Sequence, residues 1–387
     1  MDKWNMVKLS DVFTLQMGKT PSRNNPDYWN GNHKWLSIAD FGMNGKYINK
    51  TKECITDAAV AESGIKATPH NTVVMSFKLS IGKTAITVKD IFTNEAIMSF
   101  IDKGTYPIDV NYIYHLFSGK DWSKGTNKAV MGTTLNKATL SQTTIPLPPI
   151  ESQYQIADNL EKVSKLIDIC NTILNKLDIL VKSRFVEMFG DPVSNPMNWN
   201  KVAIGKHCHI ITGNTPPRAN EENYGSFIEW IKSDNINTPD TFLTKAGEYL
   251  SEKGASIGRC VESGSILMTC IAGSINCIGN VGVANRKVAF NQQINAIVPK
   301  FDETMYIYWL MILSKPYIQS TINMSLKGIL SKGQLSVMDF PFPPLNLQRQ
   351  FADFVEQTDK SKYCLVGEQI LGKAEMLIEL LNQEYFG

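Results

Sequence analysis

Gly18-Lys19-Thr20-Pro21-Ser22-Arg23-Asn24-Asn25 returns 195 residues later as Gly213-Asn214-Thr215-Pro216-Pro217-Arg218-Ala219-Asn220. Working outward at the same offset, Trp4-Asn5 returns as Trp199-Asn200, and Trp35 as Trp230. Tyr112-Ile113-Tyr114 matches Tyr306-Ile307-Tyr308 at an offset of 194, and Asn94 with Ile97 matches Asn291 with Ile294 at 197, so small insertions separate the copies. The register then settles back to 195: Leu135, Leu140, Pro146, Pro148, Pro149, Gln153 and Ala157 match Leu330, Leu335, Pro341, Pro343, Pro344, Gln348 and Ala352. Chance similarity does not hold one register over that length. The 387 residues are therefore one unit written twice, and the length suits two domains rather than one.

Composition narrows the class. Apolar residues at 43% and charged residues at 20% supply packed cores and exclude a disordered or fibrous chain. Met1-Asp2-Lys3-Trp4-Asn5 has no apolar leader, and the densest apolar stretch, 306–313, is far short of the ~20 residues a membrane span needs. Seven cysteines at unrelated spacings point to free thiols in a reducing compartment, so the expected location is the cytoplasm, with no membrane partner. The net charge of +2 is sorted along the chain. Residues 1–149 hold 17 Lys+Arg against 12 Asp+Glu, and residues 195–344 hold 13 against 11. Residues 150–194 hold 5 against 7, and residues 345–387 hold 4 against 7. Two mildly basic segments thus alternate with two acidic ones.

Each copy reads as a globular α+β part followed by a long helix. Short β-branched and aromatic runs at 71–77, 85–88, 265–269 and 281–284 lie between Gly, Asn and Pro breakers and predict strands, while 110–117 and 304–313 have helical spacing. After Pro146-Leu147-Pro148-Pro149 a helix is predicted from Glu151 to Phe189, stopped by Gly190-Asp191-Pro192. Its apolar positions Ile156, Leu160, Val163, Ile167, Cys170, Leu174, Leu177 and Val181 step by 4, 3, 4, 3, 4, 3, 4, which is a coiled-coil seam. At 1.5 Å per residue such a helix reaches ~58 Å and acts as a spacer. A second helix is predicted from Leu347 to Phe386 with a less regular stripe of Phe351, Phe354, Val355, Tyr363, Val366, Ile370, Leu377 and Leu381. Gly367 and Gly372 each cost it about 1 kcal/mol relative to Ala, so it must lean on the first helix.

The domain plan is then a first globule at 1–149, a first spacer helix at 150–194, a second globule at 195–344 and a second spacer helix at 345–387. Pairing the helices antiparallel places the globules at opposite ends with pseudo-two-fold symmetry. Two similar basic heads so related suit a two-part site on duplex DNA, where half-sites about one turn apart (~34 Å) present the same face.

At this point the residues resemble the specificity subunit of Type I restriction-modification systems. The resemblance covers essentially the whole chain. Its marks are 4–7 leading to Gly18-Lys19-Thr20-Pro21-Ser22, Trp35 with Asp40, 132–140 before Ile145-Pro146-Leu147-Pro148-Pro149, and the Phe189-Gly190-Asp191 helix end, all recurring in the second half. Departures occur where Asp40 faces Asn235, beside Asp234, and where Glu151-Ser152-Gln153 and Asn346-Leu347-Gln348 replace the commoner Glu-Gln. Membership implies two target-recognition domains, each reading one half of a bipartite, asymmetric double-stranded DNA sequence. It implies helices that fix the spacing and dock two adenine-methyltransferase subunits, with motor-nuclease subunits added for cleavage. It also implies that this chain is not itself an enzyme and binds no cofactor, S-adenosylmethionine, ATP and Mg belonging to its partners.

Asn25-Pro26-Asp27-Tyr28 is similar to the Asn-Pro-Pro-Tyr box of adenine methyltransferases, but Asp stands for the second Pro and no Gly-rich turn for S-adenosylmethionine accompanies it. Ser80-Ile81-Gly82-Lys83-Thr84 resembles the tail of a phosphate-binding loop, yet Phe77 stands where the first Gly belongs, so a strand-turn-strand is expected. His207-Cys208-His209 alternates as in a strand with both histidines on one face, without a second ligand pair, so no metal site is assigned. Cys260, Cys270 and Cys277 read as small buried hydrophobes.

The DNA-facing candidates are two pairs of matching segments. Lys19, Thr20, Ser22, Arg23, Asn24 and Asn25, with Asn214, Thr215, Arg218 and Asn220, offer cations and hydroxyls for phosphates, and Arg and Asn for the edges of guanine and adenine. The bland alternative is a solvated turn. The second pair is Lys128, Gly132, Thr133, Thr134 and Lys137, with Lys327, Gly328 and Lys332, where glycine permits close backbone approach to phosphate. Trp35 and Trp230 read as core. The rival functions are a stand-alone DNA methyltransferase, which must bind S-adenosylmethionine, and a coiled-coil scaffold whose heads bind ligands other than DNA with little salt dependence.

Overall fold

A computed structural model describes the chain except for residues 1–3, 79, 123–126, 130–131, 323–327, 367–369 and 387, and the side chains of 127–129, 132–134, 363–366 and 371. It falls into two compact units, Met1–Asn171 with Val366–Gly387, and Thr172–Leu365.

The α+β class follows from short alternating strands folded against few helices. In the first unit a five-stranded sheet runs Phe13–Met17, Ile97–Asp102, Val73–Ser76, Thr84–Thr87, Tyr47–Ile48. Its first four strands are antiparallel, with Phe13 opposite Asp102 and Met17 opposite Met98, and only the last pair is parallel. A smaller sheet runs Glu53–Ile55, Trp29–Leu36, Phe92–Thr93. The second unit repeats the plan with Cys208–Thr212, Ile294–Pro299, Ile266–Thr269, Val281–Val283, and a second sheet of Tyr249–Leu250, Tyr224–Ile231, Val288–Phe290, Cys260–Val261. The strands expected at 71–77, 85–88, 265–269 and 281–284 and the helices expected at 110–117 and 304–313 are present. Residues 80–84 form the turn from Val73–Ser76 to Thr84–Thr87, with Gly82 at φ +89°.

Each head is closed by a two-stranded clasp, Met6–Lys8 with Thr144–Pro146 and Lys201–Ala203 with Asp339–Pro341. Behind the clasp, the Tyr112 hydroxyl donates to the Pro146 carbonyl (2.8 Å) and the Tyr306 hydroxyl to that of Pro341 (2.6 Å). Gln153 and Gln348, both fully buried, finish the same joint. Gln153 accepts from Asp109 N–H and donates to the Pro107 and Pro148 carbonyls. Gln348 accepts from Glu303 N–H and donates to Asp302 and the Pro343 carbonyl.

The first long helix is Ile150–Phe189, ended by Gly190 at φ +76°, a conformation glycine adopts without penalty. Along its seam Ile156, Leu160, Cys170 and Val181 are buried and Val163, Ile167, Leu174 and Leu177 half-buried. Within the second unit its end runs antiparallel to the helix Leu345–Val366. Asp178 meets Lys362 at 2.6 Å, Arg184 lies over Phe354, and Phe185 and Phe189 pack edge-on to Phe351 and against Tyr306.

The expected single helix from Leu347 to Phe386 is instead two, Leu345–Val366 and Leu371–Phe386, with Ile370 in neither. Of the expected stripe, Ile370 and Leu377 are exposed and Leu381 is half-buried; the last helix packs through buried Ala374 and half-buried Ile378, Leu381 and Tyr385. The side chains of Tyr363 and Val366, and Gly367 itself, lie outside the described residues. The last helix packs on the first head, where Tyr385 stacks on Trp4 and Phe386 meets Tyr112.

His207 and His209 do not share a strand face. His207 ends the short helix Ile204–His207, 2.8 Å from Asp302 and stacked on Phe342, while His209 lies exposed on the strand that follows. Of the three cysteines expected inside, Cys270 is buried, and that burial pushes its thiol up to about 12; Cys260 and Cys277 are half-buried. Among the described residues no His/Cys/Asp/Glu group could hold a metal, and no helix is long and apolar enough to cross a membrane.

Candidate nucleic-acid interface

The matching loops leave the strands Phe13–Met17 and Cys208–Thr212 at a glycine. A Cβ on Gly18 would lie 2.2 Å from the Thr93 carbonyl oxygen, and one on Gly213 2.1 Å from that of Asn291, so the close approach excludes any side chain. The next residue is pinned by tryptophan: Trp35 Nε1–H donates to the Lys19 carbonyl (3.1 Å) and Trp230 Nε1–H to that of Asn214 (3.4 Å). Both indoles are buried core, as expected, and both fix a loop. Thr20 then donates to Glu95, and Thr215 to Gln292.

The loops' own side chains divide into tied and displayed. Lys19 Nζ reaches the Ser63 carbonyl and Asn214 Nδ2 the Ile257 carbonyl (3.0 Å), each at the end of a short helix. Asn25 Oδ1 accepts from Asp27 N–H (3.1 Å) and caps the turn of helix at Pro26–Tyr28. Ser22 and Asn24 are exposed, and Asn220 is half-buried.

Arg23 and Arg218 are displayed but not loose. Arg23 forms a two-pronged ion pair with Glu53, Nη2 to Oε2 at 2.9 Å, and its guanidinium lies 3.9 Å from the Trp29 ring centre and 5.0 Å from that of Trp35. Arg218 Nη2 meets Glu248 at 2.8 Å and lies 4.7 Å over Tyr224 and 5.1 Å over Trp230. Glu248 also binds Lys232. The hydrogen bond from Arg23 holds the Glu53 carboxyl below its ordinary range, and Lys232, then Arg218, do the same for Glu248. Sequence reading left Glu53, Glu248, Trp29 and Tyr224 out of the site. The signal was present, since each pair recurs at the same 195-residue offset as its arginine.

The second pair of segments is described only in part. In the first, Asn127–Ala129 and Gly132–Thr134 form a hairpin, Lys128 opposite Thr133 and Ala129 opposite Gly132. The side chains of Lys128, Thr133 and Thr134 lie outside the described residues. In the second, Gly328 is buried and pairs with Ala272, and Lys327 lies outside the described residues. Lys137 and Lys332, both exposed, open the short helices Lys137–Gln142 and Lys332–Val337 behind Asn136 and Ser331 caps. Neither segment contacts its head's arginine loop through any hydrogen bond or ion pair recorded for the described residues.

In the first unit a cleft of about 540 Å³ lies between the loop at 41–46, the turn at 83–84 and the face of the long helix carrying Glu161, Lys165 and Asp168. Lys46 crosses it to Glu161 at 2.6 Å. His115, buried beside them, is held neutral: burial first and then Lys46 push its pKa down to about 4.

The family profile described as the Type I restriction modification DNA specificity domain matches residues 1–178 and again 196–371. The chain belongs to this family. The two matches fall on the two copies found in the sequence. Curated relatives include the Type I restriction enzyme MjaIX specificity subunit of Methanocaldococcus jannaschii, 27% identical over 234 residues, 56% of this chain and 54% of that one. They include the EcoprrI specificity subunit of Escherichia coli, 26% identical over 178 residues, 45% of this chain and 42% of that one. The chain thus spans about half the length of these relatives. Among solved structures, the Type I restriction-modification S subunit from M. genitalium matches with a TM-score of 0.58 and 13% identity over 99% of this chain and 96% of its own. A chain from a structure of type I R-M complex assembly matches with a TM-score of 0.60 and 16% identity over 100% and 98%. These structural likenesses establish that the specificity-domain fold extends through the whole chain, helices included.

Proposed function

We propose that this chain is the DNA-recognition subunit of a Type I restriction-modification complex and carries out no catalysis itself. The observation that carries the reading is the arginine loop built twice, with the same glycine, tryptophan and glutamate around it, in two heads of one specificity-domain family. Each head, 1–149 and 195–344, reads one half of a bipartite duplex site. Arg23 and Arg218 offer planar donors to base edges, and Ser22, Asn24, Lys137 and Lys332, with the backbone around Gly132 and Gly328, supply contacts to phosphates. The helical segments at 150–194 and 345–387 set the gap between half-sites and dock two adenine-methyltransferase subunits. Motor-nuclease subunits join for cleavage, and S-adenosylmethionine, ATP and Mg bind those partners. The complex works in the cytoplasm.

Mapping methylated adenines across the host genome with and without this gene tests the reading. Loss of one bipartite motif is expected; an unchanged pattern contradicts it. Affinity of the purified chain for duplex DNA should fall steeply with salt, as phosphate contacts require, whereas a scaffold for other ligands gives no such slope.

A further inference from the structure

We infer that Glu53 and Glu248 are positioning residues: each holds its arginine on a pair of aromatic rings, with the free edge of the guanidinium presented to a base edge. The inference rests on the DNA-recognition reading above and adds residues to it. Four features lead to it.

The pairs are exposed, with side chains of Arg23 and Glu53 51% and 40% accessible and those of Arg218 and Glu248 57% and 37%. An ion pair so open to water contributes little to folding, so stability does not account for its recurrence in both heads. The recurrence is also complete: arginine, glutamate and both ring positions repeat at one offset, while the residue between Pro and Arg changes from Ser22 to Pro217 and the one after it from Asn24 to Ala219.

The geometry leaves donors free. Glu53 takes one hydrogen from each terminal nitrogen of Arg23, so Nε–H and the outer hydrogens remain. A side-on guanidinium edge matches the paired O6 and N7 acceptors of guanine. A long, flexible side chain that must be ordered on binding loses rotamer freedom, and the ring stack and carboxylate meet that loss beforehand.

In the first head charge favours a base over a phosphate. Glu53 cancels the charge of Arg23 locally, which weakens a Coulombic anchor but not a hydrogen-bonding fork. In the second head Lys232 stands where the first has Ser37, adds a cation to the same carboxylate, and lies 5.2 Å over the Trp230 ring. That carboxylate is shared, so Arg218 is held by one prong where Arg23 is held by two.

The test uses the complex purified through a tag on the full chain and a randomised duplex DNA library. Glu53→Ala and Arg23→Ala are each expected to relax the same base pair of one half-site, lowering discrimination there by about 5- to 150-fold. The double variant should be no worse than Arg23→Ala, because Glu53 acts through the arginine. The slope of log affinity against log salt should stay unchanged. Glu248→Ala should relax the other half. An unaltered motif in Glu53→Ala overturns the inference, as does a double variant worse than Arg23→Ala, which marks a merely structural role. Tighter binding of every duplex by Glu53→Ala also overturns it, since the glutamate then competes with DNA. So does a salt slope reduced by about 1 in Arg23→Ala, which marks a phosphate contact. If the wild-type complex enriches no motif, the DNA-recognition reading itself fails.

Discussion

In the first head the stretch after the Trp35 strand is fastened by Asp40, whose buried carboxylate accepts from Ser37 N–H and Lys52 N–H. In the second the same place is Asn235, which accepts from Lys232 N–H but donates from its amide to the Lys245 carbonyl (3.1 Å). The polarity of one bond is reversed while the fastening is kept. The second head adds Arg286, gripping Glu229 at 2.6 Å and the Leu243 and Thr244 carbonyls, where the first has Lys34 reaching the Asn49 carbonyl. Its helix Thr304–Ser320 is 17 residues long against 10 for Val110–Gly119. The clasp, the buried glutamine and the tryptophan-pinned loop stay the same. Duplication has thus preserved what holds the arginine loop and changed what surrounds it.

The largest expected contrast is where each head meets the end of a long helix. Phe189 is fully buried among Phe185, Tyr306 and Phe351, and Phe189→Ala should destabilise the second unit by about 3–5 kcal/mol in urea unfolding. Its counterpart Phe386 is half-buried on Tyr112, so Phe386→Ala should cost about half as much or less. Equal losses break the comparison.

Acid separates the heads next. His115 has Trp309 as its counterpart. Between its ordinary value of 6.5 and its folded value of about 4, the unfolded chain takes up a proton that the folded head refuses, so stability falls as pH falls through that window. Lys46 opposes the proton, and Glu161 and Asp109 favour it. The loss, up to about 3 kcal/mol, should appear in pH-dependent urea midpoints of the first unit and vanish in His115→Gln.

The shared joint predicts equality instead. Gln153→Ala and Gln348→Ala each strand buried backbone groups and should each cost about 2 kcal/mol; a large difference in thermal unfolding contradicts the equivalence of the two clasps. The smallest effect is the polarity swap. Asp40→Asn and Asn235→Asp should each lose about 1 kcal/mol, measured the same way, since each places a donor against a donor or an acceptor against an acceptor.

Much of this architecture was legible because duplication marks every position the backbone depends on. Gly18 and Gly213, Trp35 and Trp230, and the prolines of the clasps announce themselves by returning in register. The seam from Ile156 to Val181 was legible for the same kind of reason, a period that only a helix satisfies. Glu53 and Glu248 also return in register, but an acidic residue carries no DNA signal until its arginine is seen beside it. The division of 345–386 into two helices is not legible, because glycine lowers helix propensity without dictating where a helix stops. The pairing of Gly328 with Ala272 is a contact between distant residues that no local pattern encodes. The helix end at His207 is not legible, because three alternating residues cannot distinguish a strand from a helix end followed by one.

Exchanging residues 1–149 for the corresponding head of another family member, and mapping the adenines then methylated in the host, tests the central claim most directly. The account predicts a new sequence in one half of the motif, with the other half and the gap between them unchanged. A change in both halves, or in neither, would contradict it.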